Sequence, residues 1–130
     1  MITFDEFKKV EMRVGKVLSA ERVEKSEKLL KLSVDFGPKP IILEVQEEPQ
    51  ETVEGEKVPE RDIRQVVSGI GKYFENLESL IGNQYTFVTN LEPRPIMGLV
   101  SEAMIVAVST DSDIAFFDAP EVIPPGTLAK

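Results

Sequence analysis

The sequence predicts an all-β fold built around a small closed barrel. Apolar and polar residues alternate over several segments, and turns containing glycine or proline separate those segments. The chain has 130 residues, 42% of them apolar and 29% charged, as is usual for a globular protein. We expect one domain, because this length is enough to bury about two-thirds of the extended surface.

The N-terminal residues predict a short helix. Thr3 and Glu6 have the spacing of a capping box, in which each side chain bonds the free backbone N–H of the other residue. Ile2 and Phe7 occupy the positions of a hydrophobic staple. Phe4 and Phe7 are expected to share one apolar face of this helix.

The first two strands are predicted from alternation at period two. The first strand begins at Met12 and contains Gly15, which we expect to allow a bend or bulge. A tight connection at 26–29 follows, and the second strand ends at Gly37-Pro38. Its predicted inward face is Leu30, Leu32 and Val34, and its predicted outward face is Lys31, Ser33 and Asp35.

Residues at about 38–62 are expected to be an acidic insertion. They include three basic and eight acidic residues, with four prolines among them. The segment 41–45 (IILEV) has strand propensity, whereas the rest has few residues that could form a core. The insertion could serve solubility or make a specific contact.

The remaining elements complete a five-stranded barrel. RQVVSGI (64–70) predicts the third strand, and Asn76 is expected to cap a short helix over 77–81 that stops at Gly82. Further strands are predicted at 84–89, 104–109 and 114–117, before a terminal turn at 124–126. This order fits the OB-fold, a five-stranded Greek-key barrel, with short helices and a C-terminal β extension at about 114–130.

The segment NLEPRPIMGLVSEAM (90–104) is the strongest functional signal in the chain. It joins two β-rich runs through roughly ten residues, where a simple turn would need about two to five. Arg94 lies between Pro93 and Pro95, which restrict the backbone. The segment could be a rigid long hairpin loop, or a recognition loop for phosphates or flat bases.

Composition favours a binding module over an enzyme. The chain has no histidine and no cysteine, which excludes the usual zinc ligands, histidine-based triads and thiolate chemistry. A hydrolase using a carboxylate-bound metal is a minor alternative, because no acidic residues have ligand-like spacing. We therefore expect no catalytic residues, no metal and no cofactor.

Charge and hydropathy bear on partners and location. The formal net charge is −8, concentrated in 38–62, which predicts weak non-specific affinity for polyanions. No apolar run reaches the roughly 18 residues of a membrane span, and the N-terminus lacks the apolar core of a signal peptide. We expect a cytoplasmic protein that does not bind membranes.

Several segments resemble, in order and spacing, the tRNA-binding domain family. This family includes the C-terminal or β-subunit-like part of methionyl-tRNA synthetases, free-standing dimeric tRNA-binding proteins and a part of the phenylalanyl-tRNA synthetase β chain. The matching segments are FKKVEMRVGKVLSAERV (7–23), SEKLLKLSVDFG (26–37), RQVVSGIGKYF (64–74), LIGNQYTFVTNLEPR (80–94) and SEAM (101–104).

The resemblance implies a non-catalytic domain that binds tRNA by its shape. It implies a second partner in methionyl-tRNA synthetase, no binding to DNA, and a homodimer built by residues 114–130. The residues that it places in the RNA-contacting loop are Asn90, Arg94, Ser101 and Met104, and those on the exposed barrel face are Lys31, Arg64 and Ser68.

Each of these residues also has a structural alternative. Asn90 could tie its own loop together, Met104 could belong to the core, and the two cationic strand positions could be solvated. Phe116, Phe117, Val122 and Ile123 could close the barrel instead of forming a dimer.

The chain also differs from the family pattern at the loop. Glu92 and Pro95 replace basic residues around Arg94, while Met97 and Ala103 replace a basic or bulky residue and a glycine. These differences favour a second hypothesis, a protein-interaction or chaperone-like OB module that has lost strong RNA binding.

Overall fold

The computed structural model describes residues 1–39 and 60–129. Strands dominate it, which confirms the all-β prediction. The elements are α1 (Phe4–Phe7), β1 (Met12–Arg22), β2 (Leu30–Pro38), β3 (Arg61–Ser68), 3₁₀ helices at Gly71–Tyr73 and Leu77–Leu80, β4 (Gln84–Val88), β5 (Arg94–Ile96), β6 (Leu99–Ser101), β7 (Met104–Ile105), β8 (Ala107–Ser109), β9 (Ile114–Phe116) and β10 (Asp118–Ala119). Most of the predicted acidic insertion, including the strand propensity at 41–45, lies outside the described residues.

The main sheet has the connectivity of an OB barrel. β1 pairs antiparallel with both β2 and β4, β2 pairs with β3, and β4 pairs with β7. β7 also lies against β3, so the sheet curls back on itself. β7 therefore takes the place of the fifth barrel strand, and the excursion between β4 and β7 corresponds to a loop that binds ligands in OB-folds.

The barrel interior is apolar and closely packed. The predicted inward face of β2 is confirmed, since Leu30, Leu32 and Val34 are fully buried. The rings of Phe36 and Phe87 meet edge to face at 5.2 Å, a favourable arrangement for two aromatic side chains.

The prediction that Asp35 faces outward is wrong. Its side chain is buried, accepting hydrogen bonds from the Arg61 Nε at 2.9 Å and from the Gly37 N–H at 2.9 Å. Arg61 lies across the β2–β3 ladder from this end of β2, so a cation from the neighbouring strand offsets the cost of burying the carboxylate.

The β1 bulge lies later than Gly15. The β1–β2 register shifts between Val17 and Ser19, so Val17 points inward before the shift while Ala20 packs against the core after it. One extra residue therefore changes the face that meets the core. Gly15 instead allows the close approach of three core side chains, as a Cβ there would be 2.6 Å from Phe36 Cε1.

The helix ends follow the predicted local chemistry. The capping box between Thr3 and Glu6 is confirmed, with the Glu6 N–H donating to Thr3 Oγ1 at 3.1 Å. Asn76 caps Leu77–Leu80, where a 3₁₀ helix forms.

The third strand was predicted at 64–70 but runs over Arg61–Ser68. No helix in the described part of the chain has the length and hydropathy needed to cross a membrane.

The C-terminal segment both seals the barrel and exposes apolar groups. Phe116 packs on the ring of Tyr85 at 4.8 Å and stacks on Phe74 at 6.0 Å. Burial in this region raises the pKa of the Tyr85 phenol. In contrast, Phe117 is 49% exposed and Val122 is 80% exposed. The segment therefore contributes to the barrel core without burying all its large apolar side chains.

Candidate nucleic-acid interface

The predicted recognition loop folds into a β-hairpin of its own. β5 and β6 pair antiparallel, with Arg94 opposite Ser101. Met97 and Gly98 have φ values of 49° and 81°, and positive φ at both central residues is the signature of a type I′ turn. A glycine at the second turn position with apolar residues on either side was the signal in the sequence that could have revealed this hairpin.

This recognition hairpin, residues 94–101, is joined to the edge of β3. The Gln65 side-chain amide donates to the Val100 carbonyl at 2.9 Å, and the Gln65 carbonyl accepts from the Glu102 N–H at 2.8 Å. The Glu102 carboxylate accepts from the Gln65 N–H at 2.9 Å. Gln65, which the sequence analysis did not single out, therefore fixes the hairpin to the barrel.

Two of the residues assigned to RNA contact use their polar atoms within the chain. Ser101 is buried, where its hydroxyl accepts from the Val67 N–H at 2.9 Å and donates to the Ala103 carbonyl at 3.0 Å. Asn90 accepts from the Glu11 N–H at 2.8 Å and donates to the Lys9 carbonyl at 2.6 Å. Both side chains hold the base of the excursion in place.

Arg64 is also engaged within the chain. Its guanidinium forms an ion pair with Asp62 at 3.0 Å and donates to the Thr89 carbonyl at 2.7 Å. Its Cζ lies 5.3 Å from the centre of the Phe36 ring, within the range of a cation–π contact.

A second polar contact holds Thr89 on the N-terminal segment. The Thr89 hydroxyl donates to Glu11 at 2.6 Å, and Arg13 forms an ion pair with the same carboxylate at 2.9 Å. The hydrogen bond from Arg13, followed by that from Thr89, lowers the pKa of Glu11, although burial opposes the shift. The bond to Glu11 likewise raises the pKa of Arg13.

The other loop residues surround a small surface cavity. Arg94 and Met104 are exposed at its rim, and Ser68 approaches from the end of β3. Leu91 and Ile96 supply further apolar lining to a cavity of about 70 Å³. Arg94 forms no ion pair with any residue in 1–39 or 60–129. The Arg94 guanidinium, which has no ion-pair partner among these residues, therefore lies beside exposed apolar side chains.

Lys31 lies apart from this cavity, in a groove of about 630 Å³. The groove runs between the β1–β2 connection and the tip of the recognition hairpin, so Lys25 and Met97 also line it. The Lys31 ammonium is 3.7 Å from the Glu21 carboxylate and stays half-exposed. Arg94 and Lys31 therefore line two different depressions that both border the hairpin, and the structure does not bring all the predicted cations together at one point.

The fold and this site define a class of β-barrel that binds oligonucleotides or oligosaccharides. It does so through the face of its second and third strands and through the loops that join the first strand to the second and the fourth to the fifth. Residues 42–128 match the family model described as "Putative tRNA binding domain". The chain belongs to this family of binding domains.

Similar proteins include methionine–tRNA ligases. The chain is 39% identical over 131 residues to the ligase of Clostridium acetobutylicum, and 38% identical over 129 residues to that of Methanospirillum hungatei. Each match covers 99% of this chain but 17% and 16% of the respective ligase. The chain thus spans about one-sixth of the length of these relatives.

Solved structures show the same fold. A methionyl-tRNA-synthetase-related protein from Pyrococcus horikoshii superposes with a TM-score of 0.76 at 29% identity, covering 100% of this chain and 98% of that one. The chaperone CsaA from Bacillus anthracis superposes with a TM-score of 0.71 at 24% identity, covering 100% and 99%. The CsaA likeness supports the fold alone.

Proposed function

We propose that this chain is a non-catalytic module that binds tRNA through the recognition hairpin. The observation that carries the proposal is the exposed guanidinium of Arg94, held on a hairpin and without an ion-pair partner among the described residues. A guanidinium can fork onto a phosphate or stack on a base. Family membership supports tRNA as the RNA.

The seven residues assigned from the resemblance divide into two groups. In the first group, Arg94 and Lys31 supply charge, Met104 supplies an apolar platform for a base, and Ser68 supplies a hydroxyl for a 2′-OH or base edge. In the second group, Asn90, Arg64 and Ser101 hold the hairpin. The proposal therefore has fewer direct contacts than the resemblance alone implies.

The charge of the chain makes the interaction dependent on salt. A net charge of −8 opposes long-range attraction to RNA, so binding depends on local contacts at a few cations. Each phosphate contact contributes about 0.7–0.9 to the slope of log affinity against log salt. We expect modest affinity that is measurable at low ionic strength.

A titration of tRNA against the wild-type chain and Arg94→Ala tests the proposal. Loss of one charge-assisted contact should weaken binding by roughly tenfold to a hundredfold. Lys72→Ala is a matched control, because Lys72 is an exposed cation that lines neither the cavity nor the groove. Absence of binding by the wild-type chain at low salt would reject the proposal.

The partnership with methionyl-tRNA synthetase and the homodimer belong to the same proposal. The relatives that are methionine–tRNA ligases support the synthetase as partner. Exposed Phe117 and Val122 support a dimer, because an isologous interface buries the same apolar patch on both copies. Sedimentation equilibrium should show a dimer that Phe117→Ser with Val122→Ser converts to a monomer; a monomeric wild-type chain would reject this part.

A second candidate function is protein interaction of a chaperone-like kind. Leu91, Met97, Val100 and Met104 expose apolar surface around the hairpin, and Glu92 adds an acidic group beside Arg94. Such a surface could bind an unfolded peptide. Arg94→Ala separates the two functions, because peptide binding should survive the substitution while tRNA binding should not.

A further inference from the structure

Arg64 joins the two ends of the excursion that carries the recognition hairpin. Its Nη1 donates to the Thr89 carbonyl at 2.7 Å and to the Glu102 carbonyl at 3.3 Å. The chain leaves β4 at Thr89 and returns to the barrel after Glu102. One guanidinium nitrogen thus bonds the residue before the excursion and the residue that ends it.

The rest of the guanidinium is also occupied. Nε and Nη2 donate to the two carboxylate oxygens of Asp62 at 3.1 and 3.0 Å. Arginine has five N–H groups, so these contacts leave one of them for an outside acceptor. A single N–H cannot form the forked contact that makes arginine an effective phosphate ligand.

We propose that Arg64 is a positioning residue that fixes the base of the recognition hairpin and thereby presents Arg94. This inference rests on the proposed function for its effect on tRNA, but not for its effect on the hairpin. Asp62 orients the guanidinium from within β3, and the Phe36 ring supports its face. Without the bonds from Arg64 to Thr89 and Glu102, the hairpin samples arrangements that do not bind tRNA. The apparent affinity for tRNA then falls in proportion to the fraction of molecules that keep the binding arrangement.

The first test measures affinity for unfractionated tRNA across a salt series with Arg64→Gln and Arg64→Lys. If the fraction of molecules whose hairpin can bind tRNA falls to about a tenth, Arg64→Gln weakens binding about tenfold. The slope of log affinity against log salt concentration should then equal that of the wild type. Arg64→Lys should not rescue affinity, since one ammonium on a flexible stem does not reproduce the fork. Arg61→Gln is the control, because it removes the ion pair between Arg61 of β3 and Asp35 of β2, which has no bond to the excursion among the described residues.

A direct phosphate contact predicts a different pattern. The slope of log affinity against log salt concentration would then fall in magnitude by about 0.7–0.9 in Arg64→Gln, and Arg64→Lys would bind tRNA nearly as well as the wild type. Either result overturns the proposal.

Hydrogen exchange provides a readout that does not depend on RNA. In Arg64→Gln, amides within 90–102 should exchange faster while those of the β1–β2 ladder keep the wild-type rate. Asp62→Ala serves as a second variant if Arg64→Gln does not fold, because it leaves the charge of Arg64 in place and removes only its orientation. Unchanged exchange within 90–102 in the variant that folds would overturn the proposal, even if the wild-type chain fails to bind tRNA.

Discussion

Gly15 lies where three side chains of the barrel core meet, so an alanine there has no room for its Cβ. That atom would lie 2.6 Å from Phe36 Cε1, 2.6 Å from Val34 Cγ1 and 2.9 Å from Phe87 Cδ1. Because Val34 and Phe87 are fully buried and Phe36 nearly so, none of them can turn out to solvent without opening the core.

The expected cost of Gly15→Ala follows from these contacts. Overpacking a core by one carbon costs about 1–3 kcal/mol, and three simultaneous clashes put this site at the upper end. Replacing glycine in a strand gains back roughly 0.5–1 kcal/mol of backbone entropy. The net loss in the free energy of unfolding is therefore about 2 kcal/mol, equivalent to a fall of roughly 6–10 °C in the melting temperature.

Thermal and urea unfolding followed by circular dichroism measure this change, since the chain has no tryptophan for fluorescence. Gly69→Ala is the matched control, because a Cβ at Gly69 meets nothing within 4 Å and the residue is exposed. The control should be neutral or slightly stabilising. If both variants melt together with the wild type, the packing described around Gly15 is incorrect.

Three further substitutions test the site and its supports. Ser101→Ala should lower the free energy of unfolding by about 1–3 kcal/mol, because the buried Val67 N–H loses its acceptor; a variant as stable as the wild type in urea would refute the internal role of this serine. Met97→Asn should raise the unfolding free energy by about 0.5–1 kcal/mol, since asparagine tolerates the positive φ of this turn better than methionine, and a lower urea midpoint would argue against the type I′ turn. Glu11 has a lowered pKa in the folded chain, so its contribution to stability is complete above the ordinary pKa of the unfolded glutamate and disappears as the pH falls through the folded value. Urea unfolding from pH 7 to pH 2 should therefore show the wild type more stable than Glu11→Gln at neutral pH and the difference shrinking in acid; a constant difference would contradict the sign.

The parts of the fold that sequence could predict are those set by local pattern. The inward face of β2 follows from strict alternation of large apolar residues, and the caps at Thr3 and Asn76 follow from side chains bonding backbone groups two or three residues away. Such interactions do not depend on the rest of the chain. The order of these elements already fitted the OB-fold, and the family resemblance added the residues expected to contact RNA.

The parts that sequence could not predict depend on distant partners. Asp35 is buried because Arg61 reaches it from the neighbouring strand, 26 residues away. Ser101 bonds Val67 across 34 residues, which no local pattern reveals. Arg64 was a plausible phosphate ligand as an isolated cation, and its bonds to Thr89 and Glu102 exist only after the barrel has closed.

The recognition hairpin combines both cases. Pro93 and Pro95 predict a restricted backbone around Arg94, but the same prolines concealed the short strand β5. Pro95 is compatible with that strand because, among the described strands, β5 pairs on one side alone, with β6.

Amide hydrogen exchange of the intact chain, with and without saturating tRNA at low salt, tests most directly where RNA binds. We expect slower exchange in 94–104 and around Lys31 in β2, with the exposed C-terminal residues near Val122 unchanged on addition of RNA. Slowing confined to the C-terminal segment, or no slowing anywhere under conditions where the complex forms, would contradict a hairpin-centred interface.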